Sequence, residues 1–264
     1  MNHTPNPDSG LRAGLKRAYH RLLTLSTGGK GVRKTAPDGE SFFVRPQFRY
    51  LDWNPVECAA YRKRIQPGDT VLDIGANAGA YALLFGKWVQ PGGRVFAFEP
   101  AGAAFQGLSE HVAINDLNEA VTSVQAAVSD RAGTVRFLAD GFQGTNRLLR
   151  EGETSPHVSE VPAVTVDEFC RERGIRPTFW KIDTEGYELA VLRGARETVR
   201  QAGARLAIFM ELHPTQWARQ GFGAEAVRDE LAQQGLEVTW VPEGVDPWTT
   251  DSGVTVEIRP KGAA

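Results

Sequence analysis

Carboxylates stand where apolar runs end in this chain, and their surroundings set what chemistry they could do. Asp73 closes an apolar run within VLDIGANAGAYALLF, residues 71–85, and the turn Gly75, Ala76, Asn77, Ala78, Gly79 follows it. Run, turn and apolar helical pattern read as strand, loop and helix, the opening unit of a Rossmann-like sheet. In a dinucleotide site the pyrophosphate rests on the helix N-terminus, where backbone N–H groups and the helix dipole favour anions. A carboxylate two residues before Gly75 would repel that pyrophosphate and attract a cation. S-adenosylmethionine carries an ammonium and a sulfonium and no phosphate, so it fits this charge pattern. The turn also lacks the third glycine of G-x-G-x-x-G.

Glu99 ends a second apolar run, RVFAFEP, about one strand–helix–strand unit after Asp73. An acid there can accept two hydrogen bonds from ribose hydroxyls. It disfavours a 2′-phosphate but serves NAD and S-adenosylmethionine alike, so Asp73 makes that separation. FWKIDTEGYELAVLRGA, residues 179–195, ends a strand at Asp183 and puts Glu185 and Gly186 in the turn. LAIFMELHP then delivers Glu211 and His213, two apart and so on one side of an extended chain. Ligands of open α/β sheets bind beyond the carboxyl ends of the strands, so these groups should share one rim with Asp73 and Glu99.

The elements that must position them alternate. After Asn54, a capping residue, and Pro55 at the first helical position, a helix is expected to about Ile65. A strand over 70–73 follows, then helix 79–89, strand 94–98, helix 101–114 and strand 121–127. Strand-like TVRFL and VPAVTV flank a polar, glycine-rich stretch over 139–160. The pattern resumes with helix 166–173, strand 178–183, helix 186–200 broken near Gly194, strand 205–211 and helix 223–234. Strands near 236–241 and 253–258 close the chain. This predicts an α/β, doubly wound sheet of Rossmann-like type, mostly parallel with an antiparallel closing strand. The 139–160 connection is long for a compact domain and is expected to gate an acceptor, with His157 able to meet it.

Residues 1–54 read as an N-terminal tail, a helix and a hairpin turning at Pro37–Asp38–Gly39, ahead of a main domain over 55–264. Residues 11–25 put Leu11, Leu15, Leu22 and Leu23 near one helical face, with Arg12, Lys16, Arg17 and Arg21 around the rest. Packing on its own domain is the expectation there; a peripheral contact with an anionic membrane is the alternative. The net charge of −2 gives no global case for nucleic acid. Cys58 and Cys170 lie far apart without metal-ligand spacing, which suits a reducing compartment. With no apolar run of membrane-spanning length and a polar start, a cytoplasmic location is expected.

DIGANAG (73–79), FEP (98–100), VDEF (166–169), KIDTEGYELAVLRGA (181–195) and MELHP (210–214) stand in the order and spacing of a known family. Over about 56–238 the chain resembles the FkbM family of S-adenosylmethionine-dependent methyltransferases. The resemblance implies a class I methyltransferase sheet and O-methylation of a hydroxyl on a sugar, glycan or secondary metabolite, a small-molecule or glycan acceptor. Gly75, Ala76, Asn77 and Gly79 would then approach the methionyl end of the cofactor. Asp73 would hold its ammonium, directly or through water, Glu99 its ribose, and Ala127 with Val128 its adenine.

An alcohol is a poor nucleophile unless its proton leaves as the new bond forms. His213 is the natural base, and Glu185 or Glu211 could orient or replace it, with Asp183 alongside. The same four residues could instead hold a divalent cation that acidifies the hydroxyl. His3, His20 and His111 are weaker candidates. An NAD-dependent oxidoreductase and a non-catalytic nucleotide-binding module remain as alternative readings.

Overall fold

The computed structural model describes residues 27–138, 147–148 and 158–263, with Gly14, Ala18, Tyr19, Leu22 and Leu25 from the N-terminal stretch. The chain opens with an antiparallel hairpin of β1 (Val32–Thr35) and β2 (Ser41–Val44), turning at the expected Asp38–Gly39. Helix α1 (Pro55–Arg62), strand β3 (Thr70–Ile74), helix α2 (Ala80–Trp88), strand β4 (Arg94–Phe98), helix α3 (Gly102–Ile114) and strand β5 (Val121–Val124) follow. Next come β6 (Ala127–Val128), β7 (Gly133–Leu138), β8 (Arg147–Leu148) and β9 (Val158–Val164). Helix α4 (Val166–Arg173), strand β10 (Phe179–Ile182), helices α5 (Glu188–Arg193) and α6 (Arg196–Ala202), and strand β11 (Ala207–Leu212) lead to α7 (Pro214–Arg219) and α8 (Ala224–Gln233). Strands β12 (Leu236–Trp240) and β13 (Val254–Pro260) finish the chain.

Seven strands form the main sheet in the order β12-β13-β11-β10-β3-β4-β5. All neighbours from β11 to β5 run parallel, and β13 is antiparallel to both β11 and β12. Helices cover both faces, which is why the central strands read as apolar runs rather than alternating ones. One face holds an aromatic cluster in which Phe85 meets Tyr61, Tyr81, Trp88 and Phe179 at centroid separations of 5.3–5.9 Å. The other packs Phe96 and Phe98 against Phe169, beside Trp180 and Met210. Phe85 is fully buried, so Phe85→Ala is expected to cost about 3–5 kcal/mol, read as a lower urea midpoint without a change in slope.

Local expectations are corrected at particular points. The expected strand over 121–127 ends at Val124, and Ala127–Val128 leave the main sheet to pair in parallel with β9. With β7 and β8 they make a four-stranded sheet of order β6-β9-β7-β8. In β9, Val161 and Ala163 are buried while Glu160 and Pro162 are exposed, the alternation of a one-sided sheet rather than of the doubly covered one. The helix expected over 186–200 breaks near Gly194 as expected, into α5 and α6; there the chain passes against the Ser129 carbonyl, where a side chain would not fit. Helix α7 was not expected, because the short PTQWAR run reads as loop after a strand. The segment expected to precede the main domain joins its core: Phe42 and Val44 of the hairpin, and Phe48, Leu51 and Trp53 after it, are buried with Leu83 and Phe85.

In the N-terminal stretch, Tyr19, Leu22 and Leu25 are exposed; Leu22 belongs to the expected leucine face, whose other members Leu11, Leu15 and Leu23 lie outside the described residues. Its basic residues, His3, His20 and His157, and most of the 139–160 connection lie outside the described residues. No helix among the described residues is long and apolar enough to cross a membrane.

Candidate active site

Parallel register brings the singled-out side chains together. Asp73 on β3 is level with Lys181 on β10. One step along, Asp183 and Glu211 follow the paired Ile182 and Met210 of β10 and β11. Residues two apart on a strand share a face, so Asp73, Lys181, Asp183 and Glu211 converge at the carboxyl ends of three neighbouring strands.

A cleft opens there, lined by Ile74, Gly75, Asn77, Phe98, Glu99, Ala127, Val128, Asp183 and Glu185 among others. Gly75, Asn77, Glu99, Ala127, Val128, Asp183 and Glu185 thus reach the cleft as expected. Asp73, Ala76 and Gly79 are not among the residues that line it. A side chain at Gly75 would overlap the Asp183 carbonyl, and one at Gly79 would meet Leu108 of α3, so both glycines answer first to the chain's own packing. Asn77 adopts a left-handed backbone at φ 50°, which Asn tolerates, and its side chain accepts from Ala78 N–H at 2.7 Å.

Glu99 is nearly buried. One oxygen accepts from Asn77 N–H at 2.8 Å and the other from Ala101 N–H at 2.8 Å. The carboxylate therefore spans the glycine turn and the start of α3, with lone pairs left on both oxygens. Burial pushes it up to about 7, against those two backbone hydrogen bonds. Asp73 is wholly buried and neither carboxylate oxygen has a hydrogen-bond partner. Burial raises it to about 6, although Lys181 pulls the other way.

Beyond the cleft stands a charged cluster. Lys181 donates to Asp183 at 3.1 Å. Burial opposes the lysine's charge, but Asp183 and Asp73 hold its pKa above the usual value. Asp183 lies below its usual value despite burial, through Lys181 and then His213. His213 Nδ1 lies 3.0 Å from Glu188, and Nε2 faces Glu211 at 3.6 Å and Glu185 at 3.7 Å. Burial alone would discharge this imidazole; Glu188 and Glu211 outweigh it and push the ring up to about 11. The surrounding acids thus favour the protonated form of His213. Glu185, with its side chain 36 % exposed, is pushed up to about 7, chiefly by burial. Its backbone is left-handed at φ 52°, an unfavourable conformation for glutamate that is over-represented at working sites.

Asp183, Glu211 and His213 each present a ligand atom within 4.8 Å of the others, as a cation site would. Lys181 already donates to Asp183, so part of the cluster's negative charge is met by the chain itself. His111, the weaker histidine candidate, is structural: Nδ1 donates to Ala78 O at 2.7 Å and Nε2 accepts from Arg45 N–H at 2.8 Å.

The sequence reading passed over four residues. Glu188 is hidden in GYELAV, where an acid in a first helical turn reads as dipole complement. Lys181 sits mid-strand, Tyr187 and Phe137 line the cleft, and only their positions in the folded chain show it.

The methyltransferase FkbM domain family matches residues 73–238. The chain is 32 % identical to the 31-O-demethyl-FK506 methyltransferase FkbM of Streptomyces tacrolimicus, over 50 % of this chain and 62 % of that protein. It is 29 % identical to methyltransferase sdnD of Sordaria araneosa, over 48 % and 60 %. It is 25 % identical to the hexuronic acid methyltransferase AglP of Haloferax volcanii, over 55 % and 56 %. The chain thus spans about three fifths of the length of the curated relatives it matches. The matched span contains Asp73, Glu99, Asp183, Glu185, Glu188, Glu211 and His213, and the chain belongs to the methyltransferase FkbM domain family.

Proposed function

We propose that the chain is an S-adenosylmethionine-dependent O-methyltransferase acting on a hydroxyl of a sugar, glycan or secondary metabolite. The observation that carries this is Asp73: a fully buried carboxylate with two unpartnered oxygens, next in the chain to the cleft residues Ile74 and Gly75. Such a group is costly unless a cation or donor completes it. Around it Glu99, Asp183, Glu185 and Glu211 outnumber Lys181 and His213, so the site is short of positive charge. A sulfonium and an ammonium supply it, whereas a pyrophosphate would add to the excess. That fit favours S-adenosylmethionine over NAD, and family membership in a methyltransferase domain argues against a non-catalytic module. The relatives' names, one for a demethylated FK506 and one for a hexuronic acid, support an oxygen acceptor on a polyhydroxylated molecule.

Bound S-adenosylmethionine supplies a methyl group on a sulfonium, a good leaving group. The chain's own residues then align the acceptor and take its proton. Glu185 suits proton acceptance, since it lines the cleft and is ionised to a useful extent near pH 7. Lys181 and then His213 hold Asp183 below its usual value beside it. A tritiated-methyl transfer screen against sugars, glycolipids and polyketides tests the reading, with a labelled product expected; cofactor binding without transfer to any hydroxyl would contradict it. Dialysis against EDTA is expected to leave the transfer rate unchanged. A loss restored by a divalent cation would reassign Asp183, Glu211 and His213 to a metal.

A further inference from the structure

The sheet has a second charged end. Where β3, β10 and β11 begin, opposite the cleft, a recess is lined by Lys63, Arg64, Asp69, Thr178, Arg205 and Arg259 among others. Its four cations come from three parts of the chain. Lys63 and Arg64 follow α1, and Arg205 precedes β11. Arg259 lies near the end of β13, which runs antiparallel to β11 and so returns to this end of the sheet. Two carboxylates answer them. Asp69 accepts from Gln66 N–H at 2.7 Å, Thr178 Oγ1 at 2.9 Å and Arg205 at 3.1 Å. Glu257 takes Arg64 through both oxygens, at 2.6 and 3.3 Å, and lies 3.9 Å from Arg259. Positive charge therefore exceeds negative in the recess, the reverse of the acid-rich cleft. A basic residue after a helix C-terminus can simply complement the helix dipole. That accounts for Lys63 and Arg64, but not for Arg205 and Arg259.

The cations also differ in how firmly they are held. The Arg259 side chain is only 8 % exposed, and its guanidinium donates to Ala204 O at 2.9 Å. Arg64 is fixed by its double bond to Glu257. Lys63 is exposed, and Arg205, 74 % exposed, gives Asp69 one N–H of the five in its fork. Planar forks held at fixed angles suit an oxyanion, which accepts parallel N–H bonds from them. A charge as buried as Arg259 is also screened less by salt than a surface one. We propose that this recess binds a soluble phosphate-type oxyanion, at the end of the sheet away from the cofactor cleft. Arg64 and Arg259 supply fixed charge there, and Lys63 and Arg205 adjust to the anion from the exposed side. The site stands independently of the methyl-transfer reading.

The test is calorimetry of the full chain with inorganic phosphate, at an ionic strength held constant with sodium chloride. Saturable heat from one site is expected, with a melting temperature that rises above that of the chloride control. Lys63→Ala/Arg205→Ala should weaken phosphate about tenfold or more, the factor for one lost charge-assisted hydrogen bond, with circular dichroism unchanged. Arg131→Ala/Arg219→Ala removes two exposed charges that do not line the recess, and should leave phosphate affinity in place. If the first double variant does not fold, Lys63→Ala alone is expected to show the weakening. A wild-type chain that responds to phosphate no more than to chloride overturns the proposal. So does unchanged affinity in the recess variants. Equal weakening by both double variants overturns it as well, because the effect would then be one of net charge. None of these results bears on S-adenosylmethionine binding, which is read in a separate titration.

Discussion

Replacing Glu185 by glutamine is expected to lower single-turnover methyl transfer about 10²–10⁴-fold, the usual cost of losing a positioned base. Cofactor affinity should change little, because the partners proposed for the ribose and the ammonium are Glu99 and Asp73. The wild-type rate should rise with pH through about 7, as the raised Glu185 carboxyl deprotonates, and then level off. The sign is that of an acid whose ionised form is the active one, so activity is lost as pH falls through the folded value. His213, held toward its protonated form by Glu188 and Glu211, is not needed for this rise. A neutral His213 acting as the base would show the rise in His213→Ala disappear while Glu185→Gln kept most of its rate.

Glu99→Ala is expected to weaken S-adenosylmethionine binding by tenfold or more. One hydrogen bond to a charged group is worth about 1.5–3 kcal/mol, and 1.4 kcal/mol is a factor of ten. Some of that loss comes from the protein itself, since Asn77 and Ala101 each donate a backbone N–H to this carboxylate. Glu99→Gln keeps one acceptor and should fall between the two. Equal affinities in all three proteins, with circular dichroism unchanged, would remove Glu99 from the cofactor site.

The outline of this fold was legible in the chain because the parallel sheet imposes a rhythm. Apolar runs near 71, 95, 179 and 207 became β3, β4, β10 and β11, and the carboxylates after them reached one rim. What could not be read was lateral. The strand around 121–127 changes sheets after Val124, and nothing in QAAV marks the departure. The glycines were read as room for a ligand, yet Gly75 makes room for the Asp183 carbonyl and Gly79 for Leu108. His213 was read from its ordinary pKa, which says nothing about a buried partner 25 residues earlier in the chain, Glu188. Sequence shows which groups titrate; only the packed structure shows which of them face each other and so which protonation state each holds.

Titration calorimetry of the wild-type chain against S-adenosylmethionine and, separately, NAD tests the account most directly. Binding of S-adenosylmethionine alone is predicted, with the site's excess of carboxylates weakening any ligand that brings a pyrophosphate. Tight binding of NAD with no measurable heat from S-adenosylmethionine would contradict the reading of Asp73 and with it the assigned reaction.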